Sequence, residues 1–330
     1  MDETWPREAE TTGKRPRLEL VDFARAAALV AMASYHFIWD LELFGYVDSG
    51  TAGNGWPKAY ARLIASSFLF LVGVSLVLAH WPSFRRRGFA RRLAMVAGAA
   101  ALITAATLYF VPDTFIFFGI LHSIALASVL GLLFVRLPPL VTLAAAVFFF
   151  ALPQVYRSEF FDAPWLWWVG LSATIPRSND YVPLFPWFAP VLLGIAAARL
   201  SEMTGLTARL SAWRPAPDGF LRRFGFIGRH SLAFYLIHQP VLITLVWLAS
   251  QVLPPSQADA FVSECVASCS AGNGEDMCVG FCTCTSQRLA DQGLLADVQT
   301  GRIGPTEPAV AEIARACTAA SIGENRSMTD

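Results

Sequence analysis

A histidine and an aspartate four residues apart stand near the end of the first long apolar stretch. In "SYHFIWD", His36 and Asp40 share one face if the stretch is an α-helix. A carboxylate beside an imidazole fixes the ring's tautomer and stabilises its protonated form, as in a general base with its orienting acid. The alternative is that both are interfacial polar residues that reach water. We predict that His36 is catalytic and that Asp40 orients it.

Two further histidines lie inside apolar stretches, in "FFGILHSIALA" (His122) and "GRHSLAFYLIHQPV" (His238). Ionisable groups at such positions cost about 2.5–3.5 kcal/mol on insertion scales, and they usually mark a site or a transport pathway. We predict that His122 is catalytic, with a buried neutral histidine satisfied by a carbonyl as the alternative. His238 precedes Pro240, which frees a backbone carbonyl, so we predict that it lines a cavity nearer the inner surface.

A second polar pair, Asp22 and Arg25, lies at the other end of the first apolar stretch. At 100° per residue, Arg25 and His36 fall within about 20° on the helix surface and lie about 16 Å apart along its axis. The spacing therefore predicts one polar helix face that serves two mouths of a cavity.

The segment "RSNDYVPLFPWFAPVLLG" leads into another apolar stretch. Asp180 precedes a helix start marked by Pro183 and Pro186, so it either caps that helix or contacts substrate. Trp187 is typical of a membrane–water interface. We predict Asp180 and Trp187 as candidate substrate-binding residues on the outer side.

Membrane helices must position these residues, because the composition excludes a soluble domain. Of the 330 residues, 55% are hydrophobic and 15% charged, and the mean hydropathy is +0.48; soluble domains carry about 25% charged residues. We predict an all-α polytopic membrane protein in contact with the lipid bilayer, a bundle of about seven transmembrane helices with a short cysteine-rich extracytoplasmic tail. The predicted spans are 19–41, 60–80, 92–111, 115–135, 138–154, 184–200 and 230–252.

Basic residues concentrate on alternate connections, which predicts the orientation. "GKRPR" precedes the first span, "FRRRGFARR" separates the second from the third, and the segment 199–229 carries six arginines. The N-terminus is therefore predicted to be inside the cell and the C-terminus outside. The predicted domains are a disordered cytoplasmic tail (1–17), a membrane domain (18–252) and a cysteine-rich tail (253–330).

The tail holds all six cysteines of the chain, Cys265, Cys269, Cys278, Cys282, Cys284 and Cys317. An even number of cysteines in an oxidising compartment indicates a disulfide framework. A metal site is the alternative, but the tail has no histidine and no paired C-x2-C units. We therefore predict disulfides and no metal, with the 15 possible pairings left open.

Several common classes of site are excluded. The sequence has no Walker loop, dinucleotide fingerprint, zinc-helix motif or G-x-S-x-G elbow. It also lacks a basic soluble face of the kind that binds nucleic acid, so no nucleic-acid partner is predicted.

Five segments, in chain order, resemble the bacterial branch of the heparan-α-glucosaminide N-acetyltransferase catalytic family. They read "RLELVDFARAAALVAMASYHFIWDL", "SSFLFLVGVSLVLAH", "FIFFGILHSIALA", "DYVPLFPWFAPVLLG" and "IGRHSLAFYLIHQPVL". The resemblance runs from about residue 17 to about residue 250 and leaves the cysteine tail outside.

The resemblance implies an acetyltransferase of the bacterial inner membrane. Such an enzyme takes acetyl from cytoplasmic acetyl-CoA and delivers it to a periplasmic acceptor, an amino sugar or another glycan. It implies that Arg25, Arg229 and His238 bind the donor. His36 and His122 would act as bases or transient acetyl carriers. The lysosomal relatives carry a histidine before Trp-Asn-Gly in the first outer loop, whereas this loop reads "LFGYVDSGTAGNGW".

Two other functions stay open on the sequence alone. A transporter or flippase would use the same histidines as a proton-handling pathway, although transporters often contain two repeated halves and no repeat is evident here. A structural subunit with a partner-binding tail would leave the histidines without a reason to lie in the membrane. A homo-oligomer is compatible with each function.

Overall fold

The computed structural model describes residues 18–47, 50–212, 220–255, 257–270 and 273–327. The segment 1–17, predicted to be a disordered cytoplasmic tail, lies outside the described residues.

The described residues form thirteen α-helices. They are α1 (Glu19–Leu43), α2 (Gly55–His80), α3 (Arg86–Phe110), α4 (Ile120–Phe134), α5 (Pro139–Val155), α6 (Leu184–Met203), α7 (Leu206–Ala212), α8 (Phe220–Arg229), α9 (Ser231–Val252), α10 (Gln257–Cys269), α11 (Glu275–Asp291), α12 (Leu295–Gln299) and α13 (Pro308–Ser327). Short 3₁₀ turns cover Pro112–Thr114, Glu159–Asp162 and Pro164–Val169.

Each of the seven predicted spans corresponds to one helix. Helices α1, α2, α3, α6 and α9 are long and apolar enough to cross a membrane, and α4 and α5 are shorter apolar helices. Lipid offers no hydrogen-bond partner to a backbone, so a spanning segment must satisfy its own N–H and C=O groups as a helix does. The protein is an all-α polytopic membrane protein, as predicted.

Three helix starts differ from the prediction by five residues or more. α2 begins at Gly55 rather than at residue 60. α3 begins at Arg86 rather than at residue 92, because arginine is a good helix former and its long side chain reaches water from the helix end. α4 begins at Ile120 rather than at residue 115. The preceding residues are extended, with Phe118 bridged to Tyr181.

The described residues fall into two compact units. The first comprises residues 18–27 and Ser66–Ser231, and the second comprises Ala28–Ala65 and residues 232–327, so that α1 and α2 contribute to both. The boundary predicted from composition, with a separate tail from residue 253, stays a prediction.

In the first unit, α6 packs against α2 through two glycines. A Cβ on Gly73 would overlap the carbonyl oxygen of Val191, and a Cβ on Gly194 would overlap that of Phe70. The two backbones therefore approach as closely as in the small-residue interfaces of membrane helices. This contact places α6 at the centre of the first unit.

Aromatic rings fill the space between α6 and its other neighbours. Phe149 of α5 stacks on Phe185 with ring centroids 4.6 Å apart and meets the ring of Phe188 edge-on at 5.0 Å. Phe134 of α4 also contacts Phe188, which is 1% exposed. Such pairs add about 0.5–1.5 kcal/mol beyond their burial, so they help fix α4 and α5 on α6.

In the second unit, three disulfides brace the C-terminal helices. Cys265–Cys282 and Cys269–Cys278 join α10 to α11, and Cys284–Cys317 joins α11 to α13. No cysteine is free, so the predicted disulfide framework is confirmed. These helices also have a core of their own, which includes Leu289, Leu295, Val310 and Ile313.

We expect Gly194→Val to destabilise the protein, because the added carbons must displace backbone atoms of α2. Overpacking of this kind typically costs about 1–3 kcal/mol, to be measured as a lower unfolding midpoint in neutral detergent. Gly98→Val is the matched control, since a Cβ on this span glycine would meet no atom within 4 Å. Equal midpoints for the two variants would contradict the close α2–α6 contact.

Candidate functional site

Two histidines that the sequence places 202 residues apart meet in the second unit. His36 of α1 and His238 of α9 have ring centroids 5.0 Å apart with an angle of 60° between the rings. His238 was predicted to line a cavity nearer the inner surface and to bind the donor, and both stay predictions; the structure places its ring beside that of His36. The two rings meet because α1 and α9 pack against each other. Residue spacing within either helix does not indicate this contact.

The side chains that follow each histidine are also paired. Gln239 Nε2 donates a hydrogen bond of 2.7 Å to Asp40 Oδ1, and Asp40 is fully buried. We expected Asp40 to orient His36, but no hydrogen bond joins them among the described residues. The amide of Gln239 occupies one oxygen of Asp40 instead.

One polar atom of each of these four side chains is buried without a hydrogen-bond partner in the described structure. These atoms are His36 Nδ1, Asp40 Oδ2, His238 Nε2 and Gln239 Oε1. An unsatisfied buried polar group costs about 1–3 kcal/mol, and such groups are rare in folded proteins. Four of them in one cluster favour a site whose partners are supplied by a ligand. We call these four residues the histidine cluster.

The tautomer of His238 follows from its one hydrogen bond. His238 Nδ1 lies 2.6 Å from the Tyr235 carbonyl oxygen. A carbonyl only accepts, so Nδ1 carries the proton and Nε2 presents a lone pair. A backbone hydrogen bond of this kind sets the tautomer and orientation of many catalytic and ligating histidines. His238 is therefore arranged to accept a proton at Nε2.

His122, in the first unit, has a different environment. The Gly119 N–H donates to its Nδ1 at 3.2 Å, and its Nε2 lies 3.1 Å from Thr104 Oγ1. The Thr104 hydroxyl donates to the Ile116 carbonyl, so the His122 Nε2–H must donate to Thr104. Both ring nitrogens are therefore occupied, which favours the alternative of a buried neutral histidine. The catalytic role of His122 stays a prediction.

Asp180 caps a helix, but not the one expected. We predicted either a cap on the helix that follows Asp180 or substrate contact; its Oδ2 accepts from the Ile120 N–H at 2.8 Å, at the start of α4. Burial raises the pKa of the Asp180 carboxyl to about 6, while the Ile120 hydrogen bond acts in the opposite direction. The carboxyl group lies beside the positive end of the α4 dipole, which favours its ionised form.

The first unit contains a cavity of about 540 Å³. Its polar lining residues are Asp22, Arg25, Ser75, Arg85, Arg92, Glu202, Thr207 and Ser211. Arg25 Nη1 donates to Asp22 Oδ1 at 3.0 Å, and its Nη2 donates to Ser75 Oγ. The predicted Asp22–Arg25 pair therefore faces a cavity within the size range of small-molecule sites.

Arg229 and Trp187, the remaining predicted site residues, belong neither to the histidine cluster nor to the cavity lining. Arg229 is exposed at the end of α8, with its guanidinium 5.9 Å from the Phe226 ring centroid, and it is not among the residues that line the cavity. Trp187 is half-buried in the first turn of α6. Substrate contact by Trp187 and donor contact by Arg229 stay predictions.

Sequence reasoning missed Gln239, Thr104, Arg85 and Arg92. Gln239 stands next to His238 in an apolar helix, and this adjacency was the available signal. Arg85 and Arg92 belong to the basic segment that predicts the orientation, and their spacing does not indicate a site, because Arg85 lies just before α3. Within the described residues, no group of three or more histidine, cysteine or acidic side chains is arranged to hold a metal ion.

Comparison with known proteins gave one match. Residues 17–240 match the model of the family described as heparan-alpha-glucosaminide N-acetyltransferase, catalytic. The matched range covers more than half of the chain and includes every residue of the histidine cluster, and the disulfide-braced tail lies outside it. Comparison with curated proteins and with solved structures gave no match.

We expect His122→Ala and Thr104→Val each to lower the unfolding midpoint, because each leaves a buried polar group unpaired at a cost of about 1–3 kcal/mol. The measurement is thermal unfolding of the detergent-solubilised protein. Ser128→Ala is the control, since the Ser128 hydroxyl bonds only to the carbonyl one turn earlier in its own helix, Ile124. An unchanged midpoint for both variants would return His122 to the catalytic candidates.

Proposed function

Because the chain belongs to the heparan-alpha-glucosaminide N-acetyltransferase catalytic family, we propose that it is an integral membrane acetyltransferase. It takes acetyl from cytoplasmic acetyl-CoA and transfers it to a small acceptor on the periplasmic side, an amino sugar or another glycan. The observation that carries this proposal is the histidine cluster, in which two imidazoles lie 5.0 Å apart with buried nitrogens that lack partners.

His238 is the proposed general base. Its Nδ1–H is held by the Tyr235 carbonyl, so its Nε2 takes the proton of the acceptor amine or hydroxyl. As the acceptor atom bonds to the acetyl carbonyl carbon, the carbon–sulfur bond breaks and CoA leaves as a thiolate. The proton on His238 then passes to the thiolate, which releases CoA as the thiol and restores the base.

The other members of the histidine cluster are proposed to position the reactants. His36 Nδ1 lies next to the base and donates to the acetyl carbonyl oxygen, where negative charge develops in the transition state. Asp40 Oδ2 accepts from the second N–H or O–H of the acceptor. Gln239 holds Asp40 in place through its amide hydrogen bond to Oδ1, which fixes the direction of Oδ2.

The cavity of the first unit is proposed to hold the donor's phosphates. Arg25, Arg85 and Arg92 bring three guanidinium groups to its lining, and guanidinium binds phosphate through paired hydrogen bonds. Asp22 and Ser75 fix the orientation of Arg25.

The proposed cellular setting is the bacterial inner membrane, with the N-terminus cytoplasmic and the C-terminus periplasmic. The arginine distribution supports this orientation. The three disulfides near the C-terminus support it independently, because disulfides persist in oxidising compartments.

We expect His238→Ala to reduce acetyl transfer by about 10²-fold or more, the usual scale for loss of a general base. The reaction is followed as CoA release by the purified protein with labelled acetyl-CoA and a mixture of amino sugars. His36→Ala should cause a loss of similar size. His36→Asn should retain more activity, because its amide nitrogen takes the position of Nδ1. Asp40→Asn should cost less than His36→Ala, since the one remaining oxygen can still accept from Gln239 or from the acceptor, although not from both.

The matched control is His230→Ala. His230 is an exposed histidine eight positions before His238, and its substitution should leave both transfer and unfolding midpoint unchanged. Near wild-type transfer by His36→Ala and His238→Ala would exclude the histidine cluster as the site. No turnover or CoA binding by the wild-type protein would favour the transporter alternative.

We expect Arg25→Ala to weaken acetyl-CoA binding by about tenfold or more, because it removes a charge-assisted phosphate contact. Isothermal titration with acetyl-CoA measures the effect without requiring the acceptor. Arg136→Ala is the comparison, since Arg136 is exposed and outside the cavity lining, and this variant should bind acetyl-CoA with near wild-type affinity. Equal loss in both variants would contradict the proposed donor site.

A further inference from the structure

The arginines between α2 and α3 divide into two groups. Arg85 and Arg92 line the cavity of the first unit. Arg87 and Arg91 are not among the lining residues and are exposed. On an ideal helix, Arg91 is turned about 100° and Arg87 about 140° from Arg92, in the same direction. These two arginines therefore form a separate cationic face at the start of α3.

Arg87 and Arg91 have no ion pair or side-chain hydrogen bond among the described residues. They stand four residues apart, which places their guanidinium groups side by side on one helix face. Two unpaired cations at this spacing match the oxygens of one phosphate group. The face is thus complementary to a phosphate-bearing ligand, and the described residues supply no partner for it.

The same helix face continues as an exposed apolar stripe. It contains Met95 (49% exposed) and Leu102 (61% exposed), with Gly98 between them. A Cβ on Gly98 would meet no atom within 4 Å, so the stripe has a shallow depression at its middle. From Arg91 to Leu102 the axis rises about 16 Å, which is the depth of one leaflet.

We propose that this face binds an anionic glycerophospholipid of the inner leaflet. Arg87 and Arg91 hold its phosphate, and one acyl chain lies along Met95, Gly98 and Leu102. Arginine clusters beside membrane helices attract anionic headgroups at the membrane surface. In this protein the two arginines are followed along α3 by an exposed apolar stripe that can hold an acyl chain. This site is independent of the proposed acetyl transfer.

A second copy of the chain is the competing occupant, since small residues such as Gly98 also occur where membrane helices pair. A two-fold contact through this face, with both copies in the same orientation, would bring each Arg91 toward its own counterpart. Like charges so placed repel and gain nothing from the contact. The charge pattern therefore favours a lipid over a dimer.

The test uses the full chain purified in neutral detergent and titrated with phosphatidylglycerol or with phosphatidylcholine of the same acyl chains. We expect phosphatidylglycerol alone to raise the unfolding midpoint and to remain bound in native mass spectra. The double variant Arg87→Gln/Arg91→Gln should bind it at least about tenfold more weakly, the scale for loss of charge-assisted hydrogen bonds. Arg136→Gln is the control, because Arg136 is also an exposed arginine between two spans.

A second variant tests the acyl path. Gly98→Leu fills the depression without changing charge, and it should also weaken phosphatidylglycerol binding. Equal stabilisation by phosphatidylcholine or by inorganic phosphate, or an unchanged titration in both variants, would overturn the proposal. A dimer that the arginine variant or Gly98→Leu converts to a monomer would overturn it as well, in favour of contact between copies.

Discussion

A polar atom buried among apolar helices loses its water and must find another partner, at a cost of about 1–3 kcal/mol if it does not. By this constraint the environment of His122 differs from that of His36 and His238. His122 satisfies it through Gly119 and Thr104, and its ring thereby fixes the start of α4. His36 and His238 do not satisfy it within the described chain. The proposed catalytic site is located where the polar atoms are left for a ligand.

Each of the two units is held together in its own way. In the first unit, glycine contacts let α2 and α6 pack at the closest distance that backbones allow. In the second unit, three disulfides brace α10, α11 and α13.

Local pattern predicted seven apolar helices, five of which are long enough to cross a membrane. It also predicted that the cysteines are oxidised. The pairing was left open, although Cys265 and Cys269, like Cys278 and Cys282, are four residues apart and so share a helix face. Two such helices packed antiparallel join the first cysteine to the last. That inference needed the tail to be helical, which its polar composition did not indicate.

The sequence by itself determined that His36, Asp40, His122 and His238 lie in apolar helices, since this depends only on the residues beside them. Only the tertiary structure decided which of them has partners. Gln239 reaches Asp40 across 199 positions of chain, and Asp180 caps α4 from 60 positions away. Helix periodicity determines which residues are neighbours within one helix. Contacts between helices depend instead on which helix faces pack together. The fit of side chains along the whole length of each helix decides that packing.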